Sequence, residues 1–408
     1  MKTEFESLEN NIKLFKVYTL FSGKLFIATT QVLFLTLKGF TFTQIMLISS
    51  ITEILGLILE IPSGFFADKY GNKLCLLVGI FFSVFGNIFA IVGTGNILIF
   101  GFSISSAIGG AMLSGADQAF LYNTILKLNR EDEFKDIWRD ISSKKMYFTA
   151  MVTVFSGFLF KINVFLPFIS TTICYIIAAI AVIGFKDVRG NVKDNKKLKE
   201  YVKIVYEFFH RNIPAQILLV LDACFVFLFL NQNVLLQEYV SNITFPIEFI
   251  GIVFLIFNLI SAFSLKHGKA VEKIMKQYTM VFFTLLTVIC LMLAGVAANI
   301  YGLFFLAICR VCIAIINPIV DTEINRGINR NDVRATILSF YNAGASIPDA
   351  FLAPVLGSFI DTLGIFSAYK IFGLSGLVAV GICFYSLIYG NCSGRRENKA
   401  QNGRQARL

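Results

Sequence analysis

The chain has 408 residues, 56% of them hydrophobic, with 44 phenylalanines and a single tryptophan, and its mean hydropathy is +0.72. Charged residues make up 15%, against about a quarter in soluble chains; this apolar excess cannot fit in a water-soluble core, which leaves an integral membrane protein. The formal net charge of +10 would suit a nucleic-acid partner, but the positions of the basic residues argue against one.

A membrane-spanning helix takes about 20 apolar residues. Twelve such segments follow one another: 15–37, 43–62, 74–94, 97–126, 146–161, 165–185, 214–237, 247–265, 277–297, 301–324, 335–358 and 366–389. They are continuous apolar runs rather than alternating ones, so a β-barrel is excluded. Residues 1–13 read either as a short surface helix or as a solvated start. The first apolar run is long enough to span, and no cleavable signal peptide is read there. In the third segment Gly79, Ser83, Gly86, Ala90 and Gly93 form one stripe of small residues, which lets helix backbones approach in lipid. Residues 186–211 are the longest polar stretch between segments, with six segments on each side. The expected fold is therefore all-α, twelve transmembrane helices in two pseudo-symmetric six-helix bundles. The expected divisions are a cytoplasmic start (1–13), an N-terminal bundle (14–185), a cytoplasmic linker (186–213), a C-terminal bundle (214–389) and a disordered cytoplasmic tail (390–408).

With Met1 in the cytoplasm, the 36 lysines and arginines fall in cytoplasmic segments with five exceptions. Lys38, Lys161 and Lys370 lie outside, and Lys24 and Arg310 lie within spans. This is the positive-inside asymmetry, and it puts both termini in the cytoplasm. The basic charge is thus accounted for by topology, and no nucleic-acid partner is expected. Seven of the eight cysteines sit in or beside apolar segments and read as small buried hydrophobes. The pair in "CRVC" (Cys309, Cys312) has redox or metal spacing, but it lies mid-span with no second pair, so no metal site is expected. His210 and His267 lie in cytoplasmic segments without metal-ligand spacing.

Weak internal similarity relates the halves, as in transporters built from repeats. Asn123-Thr124 near the end of the fourth segment matches Asp321-Thr322 near the end of the tenth. "GFFADKYGNK" (64–73) after the second segment matches a worn "SAFSLKHGKAVEK" (261–273) after the eighth. Lys24 and Asp222 occur at matching depths of the first and seventh.

"GFFADKYGNKLCLL" resembles the loop signature of the major facilitator superfamily, G-x-x-x-D-(R/K)-x-G-(R/K)-(R/K). Twelve segments, a six-plus-six division and a central linker extend the likeness over almost the whole chain. "EIPSG" (60–64), "SGADQAFLYNTILK" (114–127) and "RATILS" (334–339) look like bacterial efflux-type members. In physical terms Gly64 ends the second segment where backbones crowd, and Gly71 permits a tight turn. Lys69 and Lys73 face the cytoplasm, and Asp68 can accept bonds from a helix N-terminus. The resemblance implies that this helix is the eleventh segment, starting near Arg334, and that the contact latches the halves while the cavity faces outward. Three departures stand out: Asn72 replaces a basic residue, the fifth segment lacks the Gly-Pro motif of many drug/proton antiporters, and Asn123 stands where related sequences often have Asp.

Ionisable residues deep in a bilayer are expensive and mark functional sites. Lys24 lies about 11 residues in from the cytoplasm and Glu53 about 10 from outside, roughly 15 Å each at the helical rise, so both stand near the midplane with Arg310. Asp222 lies slightly toward the cytoplasm. The resemblance implies that the first, fourth, seventh and tenth segments line a central cavity, with Lys24 and Arg310 as its cationic partners. A carboxyl deep in a bilayer favours its neutral form until a cation approaches, so it can take a proton on one side and release it on the other. Glu53 is the first candidate for proton coupling and Asp222 the second; a static salt bridge, such as Glu53 with Lys24, is the alternative. Asp349 shares a polar, small-residue face with Asn342, Ala345 and Ala353 and is a third candidate. It lies beside Pro348 and Pro354, which loosen the helix into a gate or a packing kink. Glu60 and Asp117 are expected to bond at the cytoplasmic gate. Gln31, Asn231, Gln232 and Asn233 are candidate substrate contacts.

The expected activity is secondary active transport by alternating access, most concretely proton-coupled export of a small amphipathic or toxic compound. Uptake, or transport of a dedicated metabolite or organic anion, is the alternative; Lys24 and Arg310 would suit an anion. A membrane receptor or enzyme would need a chemical constellation that the sequence does not display. No glycine-rich phosphate loop is present, so a proton gradient rather than a cofactor is the expected energy source. The expected partners are a small molecule and the bilayer, for a monomer in the bacterial cytoplasmic membrane.

Overall fold

In a computed structural model, described over residues 2–188, 207–210, 212–243, 245–275, 278–327 and 334–405, every regular element is a helix. Eleven stretches among the described residues are long and apolar enough to cross a membrane. The expected twelfth, the first segment, falls short because it is broken. Helix Lys2–Phe21 stops, residues 22–26 leave the helix, Ile27–Thr29 makes a 3-10 turn, and Gln31–Leu37 resumes. Gly23 in the break has φ +155°, which a side chain would resist. The fourth segment also breaks, between helices Gly95–Leu113 and Ala116–Lys127, with Gly115 at φ +75°. Continuous helices were expected over 15–37 and 97–126, and the structure corrects both.

Several helices run beyond their apolar stretches. The second extends over Phe42–Tyr70, the fifth over Phe134–Ile162 and the eighth over Ile250–Met275. The seventh covers Ile213–Asn242, and the eleventh covers Arg334–Leu363. Most of the linker, 189–206, lies outside the described residues.

The chain forms two compact units. The first comprises Met1–Asn195 with Asn233–Ile256 and Ala350–Asp361. Its aromatic centre is Phe15, Tyr18, Phe120 and Phe185, all buried, with Phe120 and Phe185 stacked at 4.2 Å. The helix that carries Phe15 reaches back to the chain start, with Leu8, Asn11 and Ile12 buried. Asn11 exchanges hydrogen bonds with the Lys186 backbone at 2.8 and 3.0 Å, so the start is packed rather than solvated. Arg130, between the fourth and fifth segments, pairs with Glu9 and Glu133. Its hydrogen bond to Glu133 holds the guanidinium pKa well above the ordinary value. The small-residue stripe is where the third and fourth segments meet: a Cβ on Gly79 would stand 2.8 Å from the Leu113 side chain, and one on Gly109 would stand 3.0 Å from the Gly79 carbonyl. Such contacts replace the hydrophobic drive that lipid does not supply.

The second unit comprises Lys196–Gln232, Phe257–Asp349 and Thr362–Leu408. Helices Thr279–Ala297 and Ile365–Gln405 pack closely within it, where a Cβ on Gly295 would stand 2.5 Å from the Phe366 carbonyl. Cys309 and Cys312 are buried free thiols, and the Cys309 thiol lies 3.7 Å from the Thr287 carbonyl.

Candidate functional site

In lipid every backbone polar group needs a partner inside the protein, so the break in the first segment must be satisfied by neighbours. The first unit supplies them. The Phe26 amide donates to the Thr171 hydroxyl at 3.3 Å, and the Thr29 and Ser156 hydroxyls meet at 2.5 Å. Gln237 spans the rest: its Oε1 accepts from the Val32 amide at 3.0 Å, and its Nε2 donates to the Ala28 carbonyl at 3.1 Å. Gln237 is 2% exposed. It is absent from the residues that the sequence singles out; its signal there is a lone amide at the end of "FLNQNVLLQE". Gln31 starts the resumed helix and is half-buried.

Lys24 stands in the break. Its Nζ lies 5.9 Å over the Phe102 ring, in a pocket of about 80 Å³ that Ser83, Asn87, Ser106 and Tyr175 also line. Glu53 is half-buried on the second helix, and among the described residues no ion pair joins it to Lys24. Asp117 sits in the first turn after the fourth segment's break, where its Oδ1 accepts from the Gln118 amide at 2.6 Å. Glu60 is exposed near the other end of the second helix.

The second unit brings Asn231 and Asp349 together. Asn231 Nδ2 donates to Asp349 Oδ1 at 2.6 Å and also to the Phe227 carbonyl at 2.9 Å. The two residues are 4% and 5% exposed. Next to Asn231, Gln232 is buried, and its amide nitrogen has no partner among the described residues. Asp222 and Arg310 are half-buried, with the guanidinium 5.9 Å over the Phe257 ring. Asn233, exposed, falls in the first unit.

At the end of the first unit that carries Lys38 and Lys161, the eleventh helix meets the start of the second. Thr41 and Gln44 form a capping box there. Asp361 then accepts from the Phe42 amide at 2.7 Å, the Thr43 amide at 2.8 Å and the Thr43 hydroxyl at 2.5 Å. A carboxylate on the free amides of a helix N-terminus is favourable. One turn away a Cβ on Gly357 would stand 2.8 Å from Thr43 Cα. Lys161 pairs with Glu248 at 2.6 Å. Gly157 faces the Glu248 carbonyl and Gly251 the Thr153 carbonyl, both too closely for a side chain.

No protein-family model matches the chain. It is 27% identical over 186 residues to YxaM of Bacillus subtilis (strain 168), an uncharacterized MFS-type transporter; the match spans 43% of this chain and 45% of that relative, less than half its length. Solved structures match over much more. The nucleoside transporter NupG superposes with a TM-score of 0.70 at 12% identity, covering 93% of this chain and 98% of that one. The D-xylose-proton symporter superposes with a TM-score of 0.67 at 12% identity, covering 92% and 96%. The chain has the major facilitator fold.

That fold was legible in the loop signature, and the structure shows what its residues do in this chain. Gly71 joins the second and third helices at φ +94°, and a Cβ there would stand 3.1 Å from Asp187 Oδ1. Lys73 donates to the Ile183 and Phe185 carbonyls at 2.8 and 2.7 Å, so it caps the end of the sixth helix as well as carrying charge. Lys69 lies 5.1 Å over the Tyr70 ring. Gly64 and Asp68 are exposed, Asp68 in the last turn of the second helix. Arg334 opens the eleventh helix; its side chain lies outside the described residues.

Proposed function

We propose that the chain is a secondary active transporter of the bacterial cytoplasmic membrane, working by alternating access, that exports a small amphipathic or toxic compound in exchange for protons. The observation that carries this reading is the Asn231–Asp349 pair. An ionisable residue inside a membrane helix is retained at a cost and defaults to a functional role. Asp349 is an acid that can hold or give up a proton, bonded to an amide that serves either state. Its carboxylate accepts from Asn231 Nδ2, and a protonated carboxyl still offers its carbonyl oxygen to the same donor. Proton exchange at Asp349 therefore need not disrupt the packing around it. Glu53 and Asp222 are the other acids on the path. The fold supports the alternating-access part, since facilitator halves move about a midplane site. The basic loops orient both termini to the cytoplasm, so the end bearing Lys38, Lys161 and Asp361 faces outward. The proton gradient supplies the energy, and a monomer suffices.

The test uses everted membrane vesicles acidified inside by respiration and loaded with a pH-reporting dye. Lipophilic cations, neutral antibiotics and organic anions are added in turn to wild type, Asp349→Asn, Glu53→Gln and Asp222→Asn. The expected result is proton loss triggered by at least one compound and abolished by Asp349→Asn. Silence toward every compound, or proton loss retained in all three variants, contradicts the reading.

A further inference from the structure

Lys24 is a cation set where a membrane protein can least afford an idle one. It lies near the expected midplane, in the unwound stretch of the first segment, and among the described residues no carboxylate lies within ion-pair distance. Its Nζ lies 5.9 Å over the Phe102 ring. A charge at this depth is costly unless it meets a partner or a wet cavity, and Lys24 opens into a cavity.

The composition of that cavity points to the partner. Its wall includes one cation, two serines, an asparagine and a tyrosine, and no acid. Ser83 already gives its proton to the Gly79 carbonyl at 2.9 Å, and Asn87 gives one amide hydrogen to Thr172 at 3.2 Å. Asn87's second amide hydrogen and the Ser106 hydroxyl remain to support an oxygen anion beside the ammonium. Phe102 and Leu113 supply an apolar wall. At about 80 Å³ the pocket is too small for a whole ligand, which takes a cleft of about 300–1,000 Å³. It does have room for a head group.

We propose that this pocket within the N-terminal bundle is a subsite for a carboxylate, and that the transported compound is a small amphipathic organic anion whose head group binds Lys24. The subsite rests on the transporter reading only for its occupant being cargo; the binding stands apart from transport. A lipophilic cation is disfavoured by the same residues, because no acid in the wall would balance it.

The experiment measures binding first, with purified full-length protein in lipid nanodiscs. Benzoate and hexanoate are titrated against benzamide, which is neutral and of similar shape, and tetraphenylphosphonium, with ligand-induced thermal stabilisation as the readout. Wild type should bind the two carboxylates and not benzamide. Lys24→Arg should retain binding. Lys24→Met should lose about tenfold or more in affinity, as expected for one charge-assisted contact. Ser106→Leu, which fills the pocket and leaves the lysine in place, should weaken binding alike and keeps the test valid if Lys24→Met does not fold. No carboxylate binding by wild type, or binding by Lys24→Met and by Ser106→Leu as tight as that of wild type, overturns the proposal. Counterflow of radiolabelled benzoate in proteoliposomes is then measured separately. Binding without counterflow keeps the subsite and refutes the transporter reading.

Discussion

Gln237 and Val32 are 205 residues apart in sequence, yet one hydrogen bond joins them. The break at 22–26 exists because Ser22-Gly23 does not hold a helix against neighbours that offer better bonds. Gln237 is the neighbour that offers most. Replacing it with leucine leaves the Val32 amide and the Ala28 carbonyl unpaired in an apolar setting. Gln237→Leu should cost about 1–3 kcal/mol, read as a lower unfolding midpoint in detergent. The residues most legible in the sequence were those whose charge interrupts an apolar run: Lys24, Glu53, Asp222, Arg310 and Asp349. Gln237 was not, because a single amide in a long helix looks like any solvated polar residue until the backbone groups that need it are known. Asp361 was also missed, since it lies just beyond the apolar run and reads as a loop acid.

At the scale of elements, twelve apolar segments could be counted from the sequence, but the breaks in the first and fourth could not be seen there. Averaged hydropathy measures burial in lipid, and an unwound stretch that neighbours satisfy is as apolar on average as a helix. The second helix is an instructive contrast. Thr41 and Gln44 make a local cap, readable as a spacing of three, and Asp361 adds a second cap from a helix 318 residues away. The amides of Phe42 and Thr43 should therefore exchange slowly in wild type and faster in Asp361→Ala, with the third helix, Asn72–Val92, unchanged; hydrogen-exchange mass spectrometry reads this directly. The loss is about 1 kcal/mol, the usual worth of a carboxylate at a helix N-terminus, or roughly a fivefold change in local opening. Gly251 offers a steric counterpart. Gly251→Val drives a branched side chain into the Thr153 carbonyl, so it should lower the yield of folded protein or hold this end apart. Labelling of a single cysteine replacing Phe158, whose ring meets that of Phe249 at 5.9 Å, by a membrane-impermeant maleimide separates the two.

For the whole molecule, the sequence carried the fold through a handful of residues between the second and third helices. A tight turn at Gly71 and a lysine that caps the sixth helix are needs of the architecture rather than of any one substrate. The cargo leaves no comparable signature, because a binding pocket is assembled from single residues on several helices. Topology is testable at this scale. A reporter active only in the cytoplasm should be active when fused at residue 405 and inactive when inserted between Asn163 and Phe165.

The proposed alternating access requires that the end bearing Asp361 part for transport to proceed. The most direct measurement places cysteines at Thr43 and Asp361, links them by mild oxidation in vesicles, and follows compound-triggered proton flux before and after reduction, with each single-cysteine variant as control. The account predicts that the linked protein is silent and that reduction restores flux to the level of the unlinked protein. Flux at full rate through a fully linked protein would contradict it.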